Sequence, residues 1–104
     1  MTRQREFHPI HPGEILADDV LAELDMNASQ AAQVLGVPAN RISEIMRGRR
    51  EISVDTALRL ARWLGTSPDF WLDLQKTYDL EVAEHTIGDE IRRTVVPRAN
   101  AVTS

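Results

Sequence analysis

Gly36, Gly48 and Gly65 cut the middle of this chain into helix-length pieces, and that punctuation restricts its fold severely. Each glycine supplies the left-handed backbone that other residues resist, and so ends the helix before it. Start signals answer each stop. Asn27 caps a helix of about 28–35, Pro38 opens another reaching about Arg47, and Ser53 caps a fourth with Asp55 in its first turn. In that fourth helix Leu58, Ala61 and Leu64 are expected to turn inward.

Upstream, "HPGEILADDVLAELD" reads as a first helix from about Pro12 to Leu24, with Pro12 at a permitted first-turn position and Glu14 favoured by the dipole. Leu16, Ala17, Val20, Leu21 and Leu24 share one face, and Glu14, Asp18, Asp19, Glu23 and Asp25 the other. Downstream, Thr66 or Ser67 followed by Pro68 opens a long fifth helix, "PDFWLDLQKTYDLEVAEH". The fold class expected is all-α, five helices joined by short loops, in one small domain. Past His85 two continuations stay open. The helix runs on through Ile87 and Ile91, or the chain turns extended at the β-branched Thr94 to Val96; Pro97 ends either. The expected organisation is a flexible arm over 1–10, a helix-turn-helix domain over 11–86, and an extension over 87–104 ending in a disordered tail.

Two helices joined by a tight glycine-containing turn are the signature of a helix-turn-helix. On the third helix Ile42, Ile45 and Met46 follow the i, i+3, i+4 spacing and form a buried stripe. Opposite lie Asn40, Ser43, Glu44 and Arg47, flanked by Ala39 and Arg41. That face suits base edges: Asn pairs with adenine N6 and N7, Glu accepts from cytosine N4, and an Ala methyl rests on a thymine methyl. Arg47, Arg49 and Arg50 sit at and beyond the helix C-terminus, where phosphate contacts fix register without reading sequence. A solvated face with ordinary charges is the plain alternative.

Charge is segregated along the chain. Its net charge is −4, yet residues 41–62 hold six arginines against Glu44, Glu51 and Asp55, or +3, and the remainder carries −7. Screening confines each field to about 8–10 Å, so a local positive surface on an acidic body still finds phosphate.

Other chemistries lack their residues. With no cysteine there is neither a disulfide nor a cysteine-based zinc site. His8, His11 and Glu14 give an H-x-x-H-x-x-E spacing, but Pro9 and Pro12 interrupt helical geometry, so no metal is expected. No nucleophile–base pairing or glycine-rich phosphate loop stands out, and neither enzyme activity nor a cofactor is expected. No apolar run approaches the roughly 20 residues of a membrane span, and the N-terminus lacks the apolar stretch of a secretory signal. A cytoplasmic protein with no membrane partner is the expectation.

"ASQAAQVLGVPANRISEIMRGRREIS" resembles the XRE-type, phage-repressor-like helix-turn-helix family, a five-helix domain. "HPGEIL", "TALRLARWLGTSPDFWLDLQKTYDLEVAE" and "GDEI" are similar, more narrowly, to HigA-type antitoxins of toxin–antitoxin modules. The likeness spans about Ile10 to Arg98. It implies base-reading positions at Ala39, Asn40 and Glu44, with Ser43 nearby, and phosphate contacts at Arg47 and Arg49; Arg41 and Arg50 are further phosphate candidates. Family members commonly carry Gln at the first position of the second helix, where this chain has Ala28, so Asn27, Ser29 or Gln30 is the substitute phosphate ligand there. Asp73 stands where the family usually has Asn.

The resemblance implies a homodimer on a palindromic operator and a partner toxin of the RelE-like, HigB type, which cleaves mRNA. Phe70, Trp71 and Tyr78 of the fifth helix either close the core or form a dimer surface. The acidic face of the first helix is either solvated or attracts a basic toxin. The expected function is thus a DNA-binding antitoxin that represses its own operon and neutralises that toxin; the alternative is a stand-alone repressor of the same family.

Overall fold

A computed structural model describes residues 7–98. Five helices make up the described chain, with no strand among the described residues. The first, α1, is a continuous helical rod in three stretches, Pro12–Ile15, Leu16–Leu21 and Ala22–Leu24. Then come α2 (Ala28–Leu35), α3 (Ala39–Met46), α4 (Val54–Leu64) and α5 (Pro68–Thr94). No helix among them is long and apolar enough to cross a membrane.

The start and stop signals act as read. Asn27 and Gln30 close a reciprocal capping box, each backbone N–H donating to the other's side-chain oxygen at 2.8 Å. Ser53 and Ser67 cap α4 and α5 through the Thr56 and Phe70 amides. Gly36, Gly48 and Gly65 all adopt left-handed backbone, with φ of 74°, 74° and 75°.

The core is assembled from every helix: Leu16 and Leu21, then Ala31, Ala32 and Leu35, then Ile42 and Ile45, then Ala57 and Leu60, and finally Trp71, with Ile52 from the loop before α4. Two apolar assignments are corrected. Leu24 is exposed, because the middle of α1 widens to i→i+5 bonding, with the Ala22 amide donating to the Ala17 carbonyl. The wider turn brings Leu16 and Leu21, five residues apart, into the core and rotates Leu24 off the 3.6-residue stripe. Leu58 is also exposed: Ala57, Leu60 and Ala61 take the inward stripe of α4, and Leu58 falls on its flank beside Val34 and Arg62. Ala61 is buried and Leu64 half-buried, as expected.

The open question past His85 resolves as helix. α5 runs unbroken to Thr94, and Val95 is extended but unpaired with any other strand among the described residues. Its first third packs into the domain through Trp71 and Gln75; beyond Ala83 its side chains are exposed. Gly88 is covered by the Glu84 side chain one turn back, which also accepts from Arg92. The projecting half lifts the radius of gyration to 17.9 Å, against about 13 Å for a compact chain of 100 residues. In the expected arm, Phe7 stacks on His85 with ring centroids 3.8 Å apart. Residues 1–6 and the tail "ANAVTS" lie outside the described residues.

Candidate nucleic-acid interface

α2, the turn at Gly36 and α3 form the helix-turn-helix, and its angle is held from behind by one arginine. Arg59 on α4 donates from Nη1 to the Leu35 carbonyl at 2.8 Å and the Gly36 carbonyl at 3.4 Å, satisfying the C-terminal end of α2. Its Nε donates to Asp55 at 2.9 Å, and the same carboxylate oxygen accepts from Arg41 of α3 at 2.6 Å. Hydrogen bonds from Arg41 and then Arg59 hold the Asp55 carboxyl below the usual carboxylate range. The sequence reading missed Arg59, whose place between Leu58 and Leu60 carries no sign of a contact made 24 residues back along the chain.

α3 presents the expected division of faces. Ile42 and Ile45 are fully buried and Met46 half-buried, while Ala39, Asn40 and Arg47 stand exposed. Ser43 and Glu44 are half-buried. The Ser43 hydroxyl donates back to the Asn40 carbonyl at 3.3 Å. One Glu44 oxygen accepts from Arg50 Nε at 2.9 Å and lies 2.8 Å from Nη2, an ion pair that neutralises a carboxylate on the outer face of α3.

The four clustered arginines therefore divide into two kinds. Arg41 and Arg50 spend their guanidinium groups on Asp55 and Glu44. Arg47 and Arg49 have no ion-pair or hydrogen-bond partner for their side chains among the described residues, and both are exposed. They flank Gly48, whose left-handed turn lets the Arg49 amide return to the Glu44 carbonyl at 2.8 Å. At the start of α2, Asn27, Ser29 and Gln30 are exposed. The capping box uses the side-chain oxygens of Asn27 and Gln30 and leaves their amide NH2 groups as donors, the polarity an anion needs.

Two contacts missed by the sequence reading set the pose of this face. His11 Nδ1 accepts from the Gly13 amide at 2.8 Å, and Glu14 accepts from the His11 amide at 3.3 Å, so the H-x-x-E part of the histidine motif is the cap of α1. The His11 ring lies edge-on to Tyr78 at 4.8 Å, and a methyl group on Gly48 would meet the same ring in ordinary van der Waals contact. Second, the buried Gln75 of α5 accepts from the Ile52 amide at 2.7 Å and donates to Asp79 at 3.0 Å, pinning the loop that follows Arg49 and Arg50. A polar residue four positions after Trp71, on the inward stripe, was its signal. Trp71 closes the core, its indole N–H donating to Thr66 at 3.3 Å; Tyr78 is half-buried and Phe70 exposed.

The helix-turn-helix family profile matches residues 19–71. Virulence-associated protein I of Dichelobacter nodosus is 44% identical over 81 residues, covering 78% of this chain and 75% of that protein. An addiction module antidote protein of the HigA family from Coxiella burnetii is 48% identical at a TM-score of 0.82, covering 86% of this chain and 98% of that one. The Pseudomonas aeruginosa antitoxin HigA, solved with the higBA promoter, is 42% identical at a TM-score of 0.85, covering 88% and 99%.

Proposed function

The chain belongs to the XRE-type helix-turn-helix family, whose solved members of similar structure include HigA antitoxins, and from that premise we propose that it is a DNA-binding antitoxin. It represses its own operon as a dimer on an inverted repeat and neutralises a RelE-like, mRNA-cleaving toxin by forming a complex with it. The observation that carries the DNA-binding part is the outer face of α3: Ala39 and Asn40 stand clear at its start, and Arg47 and Arg49, unpaired among the described residues, stand at its end. Ala39, Asn40, Ser43 and Glu44 read bases. Arg47, Arg49 and the donors at Asn27, Ser29 and Gln30 hold phosphates. Arg50 and Arg41 contribute positive potential and brace the reading face. A HigA neighbour bound to promoter DNA supports this assignment.

Dimerisation is supported by a second feature. Leu80, Ile87 and Ile91 leave an apolar stripe exposed along α5, and Val95 adds an exposed apolar side chain just past its end. A two-fold contact buries the same stripe twice, and two reading helices about 34 Å apart address successive major grooves.

Co-purification with the product of the adjacent gene, followed by a gel-shift on the upstream region, tests the reading. A stable complex with a basic protein and a shifted promoter are expected. A shift without any toxin partner points to a stand-alone repressor; no shift at low ionic strength overturns the DNA-binding assignment.

A further inference from the structure

An apolar groove of about 360 Å³ opens between the second half of α1 and the start of α5, and no residue assigned to DNA lines it. Its lining includes Val20, Leu24, Leu64, Phe70 and Trp71. Leu24 is 47% exposed and Phe70 45%, side chains that a soluble surface ordinarily withdraws or scatters. Phe70 is held in place: its ring meets the buried Trp71 edge-on at 5.0 Å, and that indole is tied to Thr66. Asp19 and Glu23 form the rim. Neither carboxylate has an ion-pair partner among the described residues. The groove is thus preformed, apolar at its floor and negative at its edge.

We propose that this groove docks a segment of a basic partner protein, which inserts a bulky apolar side chain between Leu24 and Phe70 and sets Lys or Arg against Asp19 and Glu23. Charge selects this occupant. A duplex is repelled by the rim, and a second copy seated two-fold on the same patch brings two acidic rims together. A segment with an apolar anchor and flanking cations satisfies both floor and edge, the pattern of a buried anchor within a polar rim. The inference rests on the antitoxin reading for the identity of the partner: a nuclease toxin that holds RNA is basic, and its own field steers it toward this edge.

The test uses the purified product of the adjacent gene, the full-length chain, and two double variants, Asp19→Lys with Glu23→Lys and Leu24→Ser with Phe70→Ser. All four sites are exposed, and circular dichroism together with the promoter gel-shift verifies that each variant keeps its fold and its DNA-binding face. Charge reversal is expected to slow association at least tenfold at low salt and to remove most of its salt dependence. The serine pair is expected to weaken the complex at least tenfold, mainly through faster dissociation. If the parent chain binds the partner and both variants bind it equally well, the groove assignment is overturned while the antitoxin reading stands. If the serine pair instead turns a dimer into a monomer in sedimentation and leaves partner binding intact, the groove belongs to a second copy and the assignment is equally overturned. If the parent chain itself does not bind that product, the antitoxin reading falls and takes this partner with it.

Discussion

Gly13 lies directly under the carbonyl of Ile45, so close that a methyl group on residue 13 would overlap that oxygen. The start of α1 is thereby set against the last turn of α3. Around this contact the "HPGEIL" segment becomes a docking device: His11 caps the helix, Pro12 is buried at its first position, Glu14 returns to the His11 amide, and Leu16 enters the core. The segment contributes no side chain to the proposed reading face, yet it fixes the backbone from which Arg47 and Arg49 project.

Replacing Gly13 with alanine is expected to destabilise the chain by about 1–3 kcal/mol, because the overlapping atom is backbone and cannot swing aside. Gly65→Ala is the contrasting case. Nothing lies within 4 Å of a methyl group there, so only left-handed strain applies, about 1–2 kcal/mol. Urea unfolding measures both; Gly13→Ala is also expected to weaken the promoter shift more than Gly65→Ala does. Equal effects on the shift would remove the docking role.

Acid is expected to loosen the same cap. Burial holds the His11 pKa below its ordinary 6.5, although Asp79 and Glu14 pull it upward. Its Nδ1 accepts from Gly13 only when it carries no proton. As pH falls through 6.5 the unfolded chain takes up the proton first. The contribution to stability is therefore complete above 6.5 and is lost between 6.5 and the lower folded value. His11→Asn keeps a cap acceptor that does not titrate. Urea midpoints compared at about pH 7.5 and about pH 5 should fall further for the parent chain than for the variant. Parallel falls would assign the loss to other groups.

Asn40→Ala is expected to relax preference at one base pair per half-site, at a cost of about 1–3 kcal/mol there. Arg49→Ala should weaken all duplexes alike and reduce the salt slope by about one unit per half-site. Because Arg50 is already bound to Glu44, Arg50→Ala should lower the slope less than Arg49→Ala. Binding titrations across salt concentrations and operator variants separate the three, and indistinguishable profiles would refute the division of labour along α3.

Gln75→Leu fills a similar space but leaves the buried Ile52 amide without its acceptor. A loss of about 1–3 kcal/mol is expected, together with weaker promoter binding, since the loop after Arg49 loses its anchor. Thermal unfolding beside a gel-shift checks this. Unchanged stability would mean that water replaces the side-chain oxygen.

Sequence by itself determined the bounds of the first four helices, the start of the fifth, and the inner and outer faces of α3, because caps, glycine stops and 3.6-residue periodicity are properties of local backbone; where α5 ends it left open. Asn27, Gly36, Gly48, and Ile42 with Ile45 were all legible on those grounds. Only tertiary structure decided which arginines are spent and which remain. Arg41 pairs with Asp55, fourteen residues away; Arg50 pairs with Glu44; and Arg59 reaches back to the end of α2. The exposure of Leu24 and Leu58 was hidden for a related reason. A widened turn and a competing inward stripe come from how helices pack together, which no single helix's periodicity carries. Gly13 against Ile45 and Gln75 against Ile52 are contacts between distant segments, and one-dimensional patterns hold no record of distance across a fold.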